Sequence, residues 1–304
     1  MEILELSAAY RVARDHAVAI DVTGRGLIRL DGDQRVWFLQ NTVTADLDAV
    51  EQGRWTWSCF LDPKGKVLAH FRTAVDEEQV WLDVDPPATD ELASWFTRYR
   101  FRTRVEVEDR TGACFALVGP GAPHPAPGHV TSSSGGVAFG DEVGGLPVTI
   151  LHTGTAPDLP RAPVELWEVL RVEAGLPRFA VDYGPDTLPQ EAGLTSELSV
   201  TKGCYVGQEV VARLHFRGHV NRVVRPLELD AVVEPGRSLL HDGQRVGRIS
   251  SVVVSPDRGP IGMGMVRVEV PQGSRVEVEG GGTAVVGPVP HGTKTQRTVP
   301  PART

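Results

Sequence analysis

Residues 201–216 read TKGCYVGQEVVARLHF, and this stretch decides how the whole chain is interpreted. Cys204 lies between Gly203 and Gly207 and close to Lys202. The run EVVARLHF that follows is compatible with a helix or a strand. If it is a helix, the Cys204 thiol lies just before a helix N-terminus and near a cation, and both favour the thiolate. The alternative is that Cys204 is a small apolar residue in a turn.

A helix is predicted upstream of this stretch, with Pro163 at its first position and Gly175 after its end. Its apolar stripe consists of Leu166, Val169 and Leu170. Glu173 falls on the same stripe, seven residues after Leu166. An inward-pointing carboxylate must be paired or must bind a group that offers hydrogen-bond donors. Glu173 is therefore a candidate ligand-binding residue; the alternative is a glutamate that reaches solvent or pairs with an arginine.

The N-terminal half of the chain alternates strand and helix patterns. Apolar residues recur at every second position on both sides of the turn sequence Asp62-Pro63-Lys64-Gly65. A third strand follows, and then a helix for which Thr89 and Asp90 are the predicted caps. Strands that flank a helix in one block predict an α+β lobe at about residues 51–112.

The C-terminal part of the chain has an all-β pattern. Short apolar segments separated by glycine and proline predict a small barrel or sandwich in residues 221–290. Residues 291–304 are predicted to form a disordered tail. Residues 121–136, GAPHPAPGHVTSSSGG, lack periodicity and predict a mobile loop.

Composition limits the class of protein. The 304 residues suggest about two domains, and a net charge of −8 disfavours direct nucleic-acid binding through phosphate neutralisation. No apolar run approaches the roughly 20 residues that span a bilayer, and the N-terminus does not resemble a signal peptide. We therefore expect a cytoplasmic protein without membrane partners.

Metal sites and hydrolase sites find little support in the sequence. The three cysteines show no CxxC spacing, and Cys59 and Cys114 lie in apolar strand patterns that predict core positions. His215 and His219 have the spacing of a metal pair, but Gly218 interrupts the helix that such a pair needs. No metal site and no cysteine hydrolase is predicted. The sequence also contains no phosphate-binding loop of the P-loop type.

The segment KGCYVGQE at 202–209 resembles the KGCYxGQE signature of the YgfZ family. Members of that family are folate-binding relatives of the glycine-cleavage T protein and are implicated in assembly or repair of iron–sulfur proteins. RVEAGLP and LPQEAGL, upstream of it, resemble the segment that precedes the signature in YgfZ and T proteins. FLQNTVTADL, FLDPKGKVLAHF and RYRFRTRVEVED resemble patterns of the N-terminal half, so the resemblance covers roughly residues 15–290.

The resemblance implies a fold and a division into domains. The family fold is an α+β ring of three lobes around a central channel: two α+β lobes and a small C-terminal β-barrel. We accordingly expect residues 1–220 to form the folate-binding, T-protein-like region and residues 221–290 to form the barrel.

The resemblance also implies site residues for tetrahydrofolate or a one-carbon derivative of it. The glutamate of RVEAG binds the pterin ring in T proteins, which transfers to Glu173; a carboxylate accepts two parallel N–H bonds from such an edge. Lys202 faces the glutamate tail of folate or biases Cys204 toward thiolate, and Cys204 is the candidate reactive residue. The expected supporting residues of the motif are Gly203, Tyr205, Gly207, Gln208, Glu209 and Arg213.

One departure from the T-protein pattern bears on catalysis. T proteins carry an Asp-Asp pair on the strand after the glycine pair, and one of these aspartates supports aminomethyl transfer. The matching positions here hold Ala69 and His70. His70 is a candidate base, although we expect it on the exposed face of its strand.

Three functional hypotheses follow. The first is a tetrahydrofolate-binding YgfZ-type protein that uses Cys204 to support assembly or repair of iron–sulfur client enzymes, including enzymes that modify tRNA. The second is a folate-dependent aminomethyltransferase or demethylase. The third is a folate-binding module without catalysis, in which a change of Cys204 has no phenotype.

Overall fold

The structure, a computed structural model, describes residues 3–133 and 135–293. The helices of this part of the chain are α1 (Leu6–Asp15), α2 (Arg35–Gln40), α3 (Thr89–Tyr99), α4 (Val164–Glu173) and α5 (Gln208–Arg217). The strands of the N-terminal region are β1 (Val18–Asp21), β2 (Gly26–Asp31), β3 (Arg54–Leu61), β4 (Val67–Val75), β5 (Gln79–Val84), β6 (Glu106–Asp109), β7 (Cys114–Val118), β8 (Val130–Ser133), β9 (Gly136–Val143), β10 (Leu146–His152) and β11 (Arg161–Ala162). The remaining strands are β12 (Arg222–Leu229), β13 (Ser238–His241), β14 (Gln244–Ser255), β15 (Gly259–Arg267), β16 (Arg275–Val278) and β17 (Thr283–Val286).

The strands form three sheets. A six-stranded sheet has the order β11-β1-β7-β10-β9-β8, and a five-stranded sheet has the order β3-β4-β5-β2-β6. The strands β12 to β17 close into a six-stranded barrel. This arrangement confirms the predicted fold class of two α+β lobes and a C-terminal barrel. The predicted lobe at residues 51–112 corresponds to most of the five-stranded sheet, which also includes β2.

Each lobe has its own apolar core. Helices α1 and α4 pack on the six-stranded sheet through residues such as Tyr10, Ala13 and Leu166. The core of the five-stranded sheet joins Phe38 of α2 to Phe96 of α3 and extends into the segments around Tyr183 and Tyr205. That second core therefore connects the signature segment to the N-terminal half of the chain.

The structure corrects several local predictions. The N-cap of α3 is Ala88, one residue before the predicted cap Thr89. Pro163, predicted at the first helical position of α4, is its N-cap, so α4 begins one residue later at Val164. Neither residue makes a side-chain cap bond. The predicted loop at 121–136 contains β8, because Val130 pairs with Phe139 and is buried there. The predicted tail begins with described residues 291–293, and its remainder lies outside the described residues.

Candidate functional site

A cavity of about 230 Å³ lies where the two α+β lobes meet α4. Its wall is formed by β3 and β4 of the five-stranded sheet, by β9 of the six-stranded sheet, by α4 and by the segment that follows α4. The aromatic side chains of the wall are Trp57, His70 and Trp167. Its arginines are Arg25, Arg72, Arg171 and Arg178, and its acids are Asp85, Asp141, Glu142 and Glu197. The cavity therefore combines flat apolar surfaces with charges of both signs.

The buried carboxylate of Asp83 holds two arginines of this wall, Arg25 and Arg72, in place. Asp83 is fully buried and accepts hydrogen bonds from Arg25 Nη2 at 2.7 Å, Arg72 Nη1 at 2.6 Å and His152 Nε2 at 2.9 Å. Burial by itself raises the pKa of Asp83, but the Arg25 charge, the His152 hydrogen bond and the Arg72 charge lower it well below its usual value. Asp83 is therefore ionised at neutral pH and holds both guanidinium groups in place.

Arg72 connects this network to the aromatic part of the wall. Its guanidinium carbon lies 4.2 Å from the ring centre of Trp57, and a second nitrogen is paired with Asp141 on β9. The Nε atom of Arg72 is buried and has no hydrogen-bond partner among the described residues. A buried donor without a partner is unusual in a folded protein, and this one belongs to a residue of the cavity wall.

His70 lies in this wall, and the expectation that it occupies the exposed face of its strand is wrong. Its exposed fraction is 6%, and its ring stacks on Trp57 with centroids 4.5 Å apart. The Nδ1 atom lies 2.9 Å from the Tyr183 hydroxyl, and the Nε2 atom lies 2.7 Å from Glu197 Oε2. The reason is that β4 is an interior strand, so one face packs on the lobe core and the other on the interlobe cavity.

Cys204 is exposed, and α5 begins four residues later at Gln208. The structure thus resolves the alternative of helix or strand in favour of a helix. Gly207 is the N-cap of α5 with φ = +79°, a left-handed backbone that favours glycine. Tyr205 is buried, and its hydroxyl donates to the carbonyl of Ser199 at 2.9 Å. The thiol is thus held at the surface by an anchored loop.

The Lys202 side chain is hydrogen-bonded to backbone carbonyl groups. Its Nζ atom donates to the carbonyl of Gln40 at 2.8 Å, to that of Val43 at 2.6 Å and to that of Ala45. These three bonds use the three donors of the ammonium group. Burial lowers the pKa of Lys202 to about 8, against the opposing charges of nearby aspartates. Contact with a folate tail or with Cys204 therefore stays a prediction that the observed bonds do not favour.

The remaining residues of the signature lie on the loop and on the first turns of α5. Gln208 Nε2 donates to the carbonyls of Gly203 at 3.3 Å and Lys202 at 3.4 Å, which closes the loop around Cys204. Glu209 and Arg213 are exposed on α5. Their supporting role stays a prediction.

Glu173 lies at the end of α4, between α1 and the barrel. Its carboxylate accepts a hydrogen bond from the Tyr10 hydroxyl at 2.9 Å and another from Ser255, and Arg14 Nη2 lies 3.6 Å away. The side chain is 12% exposed and is not part of the 230 Å³ cavity wall. The inward orientation agrees with the stripe pattern, while its pterin contact stays a prediction. In this structure it connects two lobes.

Several residues of the cavity wall, and of the buried contacts behind it, were not identified from the sequence. Asp83 lies within the apolar strand VWLDV, and Arg72 lies within AHFRTAV. A charged residue in an interior strand must have a buried partner. The presence of Asp83 and Arg72 in apolar strand sequences therefore indicates a buried ion pair. Glu197 and Tyr183 lie in irregular segments, where no periodicity indicates their direction.

A larger and more open groove of about 820 Å³ lies between residues 180–187 and the barrel. Arg222, Arg245, Arg248 and Arg267 contribute to it. The cavity at the lobe junction is the better candidate site, because it is more enclosed and contains buried titratable groups.

Two family models match this chain. The GCVT N-terminal domain matches residues 5–126, and the glycine cleavage T-protein C-terminal barrel domain matches residues 222–290. The two matches together span more than half of the chain. The chain belongs to the glycine-cleavage T-protein family, and it is a YgfZ-like member of it.

Relatives of both kinds are similar over most of their length. The tRNA-modifying protein YgfZ of Vibrio atlanticus is 26% identical over 78% of this chain and 80% of its own. An aminomethyltransferase of Nostoc is 24% identical over 90% of this chain and 83% of its own. The crystal structure of the glycine cleavage system aminomethyltransferase T from Bartonella henselae superposes with a TM-score of 0.84, at 20% identity, over 97% and 91% of the two chains. Among the described residues, no helix has both the length and the apolar character of a membrane span.

Proposed function

We propose that this protein binds tetrahydrofolate in the cavity between the lobes and supports assembly or repair of iron–sulfur enzymes through the thiol of Cys204. The cavity is the observation that carries the folate part of the proposal. Ligand pockets of about 300–1,000 Å³ hold drug-sized molecules. A cavity of about 230 Å³ is therefore suited to the pterin ring, with the rest of folate extending outward.

The chemistry of the wall supports a pterin ligand. Trp167 offers a flat apolar surface to a planar ring. Arg72, whose buried Nε has no partner among the described residues, contributes a positive charge to the wall. Carboxylates in the wall, Glu197 among them, offer acceptors to the amino edge. Bound folate supplies a carrier for one-carbon units.

Glu173 remains a proposed pterin ligand by family resemblance alone. Its side chain is not part of the cavity wall, so a pterin held by Glu173 and a pterin held in the cavity are alternative placements. The present partners of Glu173 are the hydroxyl groups of Tyr10 and Ser255, and Arg14 Nη2 lies 3.6 Å away. To contact a pterin, the Glu173 side chain must exchange these donors for N–H groups of the ligand. The role is testable, since Glu173→Gln keeps the size of the side chain and removes the charge that a pterin amino edge pairs with.

Cys204 carries the second part of the proposal. Its exposure and its position ahead of α5 support a thiol that acts on a partner protein. One cysteine does not provide the ligands of a conventional cluster, so stable cluster binding requires ligands from a client or another molecule. We propose iron–sulfur enzymes, including ones that modify tRNA, as these clients, and a reducing cytoplasm as the compartment.

Two measurements test the proposal. Isothermal titration calorimetry with tetrahydrofolate measures binding by the wild-type chain and by Glu173→Gln. Loss of affinity in the variant supports the pterin contact. Absence of binding by the wild type contradicts the folate part of the proposal.

The second experiment measures rescue of a tRNA methylthiolase in cells that lack a protein of this family. It compares the wild-type chain with Cys204→Ser at matched protein levels. Rescue by the wild type alone supports the role of the thiol, while equal rescue removes Cys204 from the mechanism.

A folate-dependent aminomethyltransferase is the second candidate, and the His70–Glu197 pair in the cavity wall favours it. An imidazole next to a carboxylate supplies a base where T proteins place their acid. Formation of methylenetetrahydrofolate or formaldehyde by the purified chain, lost in His70→Gln, supports this activity. A chain that binds folate and forms neither product excludes it.

A further inference from the structure

Three potential metal ligands meet beside the cavity: Cys59 on β3, His70 on β4 and Glu197 in the 3-10 turn that precedes the signature. Cys59 and His70 are directly paired across the two strands, so their side chains lie on the same face of the sheet. Thr44 connects Cys59 to the segment that carries Glu197. The Thr44 hydroxyl accepts a hydrogen bond from the Cys59 backbone, and the Thr44 carbonyl accepts one from the backbone of Ser199, two residues after Glu197.

The distances among the three ligand atoms are close to those of a metal centre. Glu197 Oε2 lies 2.7 Å from His70 Nε2 and 3.9 Å from Cys59 Sγ, and all three atoms lie within 4.8 Å of one another. Around a tetrahedral zinc ion, the same atom types lie about 3.3–3.7 Å apart, given metal–ligand distances of about 2.0–2.3 Å. Each of these separations therefore differs by no more than about 1.5 Å from its value around such an ion.

The His70 imidazole is oriented to bind a metal ion through its Nε2 atom. Its Nε2 atom is buried and lacks a properly oriented hydrogen bond among the described residues, despite its short distance to Glu197. The other ring nitrogen is held by the Tyr183 hydroxyl, and Trp57 stacks on the ring. A hydrogen bond at the second nitrogen is how metal-binding histidines are oriented in proteins.

We infer that Cys59, His70 and Glu197 bind one divalent transition-metal ion, with Zn²⁺ as the best match. A thiolate, an imidazole and a carboxylate form a donor set suited to zinc and not to Mg²⁺ or Ca²⁺, which prefer oxygen ligands. The thiolate and the carboxylate balance the two positive charges of the ion, and the thiol proton is released to solvent on binding. The buried site is then electrically neutral.

The fourth coordination position of this ion faces the cavity, because His70 and Glu197 both contribute to the cavity wall. Three protein ligands and one open position are typical of zinc sites that bind water or a substrate atom. The site is therefore placed to bind an oxygen or nitrogen atom of a cavity ligand. The site shares His70 and Glu197 with the cavity wall in which folate is proposed to bind, but metal titration in the absence of folate tests it separately from the proposed function.

The test is metal titration of the full-length, chelator-treated chain with Co²⁺ and then Zn²⁺. We expect one Co²⁺ per chain with a thiolate-to-cobalt charge-transfer band in the near ultraviolet, and displacement of this band by Zn²⁺. In Cys59→Ser the band disappears, and in His70→Gln and Glu197→Gln the affinity falls at least about 10-fold. Tyr183→Phe keeps all three ligands and lowers affinity by a smaller factor.

The controls are the other two cysteines. Cys114 is also buried, and its sulfur lies 3.8 Å from His152, so Cys114→Ser is matched in environment. Cys204→Ser removes the exposed thiol. Both variants keep the band and the affinity if the inference is correct. Absence of stoichiometric binding by the wild type, or loss of the band only in Cys204→Ser or Cys114→Ser, overturns it. Circular dichroism confirms that each ligand variant is folded. If a ligand variant does not fold, the lowered metal affinity of Tyr183→Phe still tests the site.

Discussion

Gly207 packs directly on the backbone of Gly65. A Cβ atom at Gly207 would lie 3.0 Å from the Cα atom of Gly65 and 2.7 Å from the carbonyl oxygen of Asp62. The turn Asp62-Pro63-Lys64-Gly65 and the loop that carries Cys204 are therefore one structural unit, although more than a hundred residues separate them in sequence. Gly207 is required at this contact because no Cβ atom fits between the two backbones, and Gly65 is favoured by its left-handed backbone at φ = +75°.

Gly207→Ala is expected to destabilise the protein. The left-handed backbone alone costs about 1–2 kcal/mol with a Cβ atom, and the clash with Asp62 adds to this. Urea unfolding measures the change. Gly203→Ala is the matched control in the same loop, because its Cβ would meet no atom within 4 Å. Equal stability of the two variants would contradict the contact.

Lys202→Met is expected to lower the free energy of unfolding by roughly 3 kcal/mol, because three backbone carbonyls lose a charged donor. Lys64, on the exposed part of the Asp62–Gly65 turn, provides the control: Lys64→Met should change stability by no more than about 0.5 kcal/mol. Chemical denaturation of both variants at neutral pH makes the comparison. A small effect at Lys202 would indicate that water replaces the ammonium group.

Asp83→Asn is expected to destabilise the chain by about 3–5 kcal/mol at pH 7, since it leaves Arg25 and Arg72 without their buried counter-charge. The pKa of Asp83 is lowered in the folded protein, so its stabilisation is complete above the unfolded pKa of about 3.9 and is lost as pH falls toward the folded value. The difference between wild type and variant should therefore narrow below about pH 4. Asp33→Asn, at an exposed position, is the control and should show neither effect.

Thiol labelling should distinguish the three cysteines. Cys204 is exposed, whereas Cys59 and Cys114 are buried, and burial raises the pKa of both buried thiols. We expect one fast-reacting thiol in the folded chain and three after denaturation. Cys204→Ser should have no fast-reacting thiol and an unchanged free energy of unfolding. Fast reaction of two thiols in the native protein would show that a lobe opens readily.

Trp167→Ala is expected to weaken tetrahydrofolate binding by about 10-fold, because the loss of an aromatic contact costs about 1 kcal/mol beyond the buried area. Trp37, which is 59% exposed on α2, is outside the cavity wall, and Trp37→Ala should bind as the wild type does. Calorimetric titration of both variants tests this. Equal affinities would place the ligand elsewhere, for instance in the larger groove beside the barrel.

The sequence predicted helices and strands better than it predicted the tertiary contacts between them. The α4 stripe predicted an inward Glu173, whose side chain is 12% exposed. The strand alternation correctly placed Cys59 and Cys114 in the core. The same alternation failed for His70, because a strand with both faces covered has no exposed side to predict. Periodicity reports which residues share a face, and it does not report what covers that face.

The fold class and the family can be recognised from the chain alone, because the motifs that carry them depend on glycines and apolar spacings of neighbouring residues. Which chemistry-bearing residues meet depends on the packing of distant segments. Glu197 reaches His70 across 127 positions of sequence, and Glu173 meets Tyr10 across 163. Lys202 likewise binds carbonyls near residue 43 instead of the adjacent thiol. Local patterns depend on neighbouring residues in the chain, whereas these contacts depend on how sheets, loops and the barrel pack, which no local period encodes.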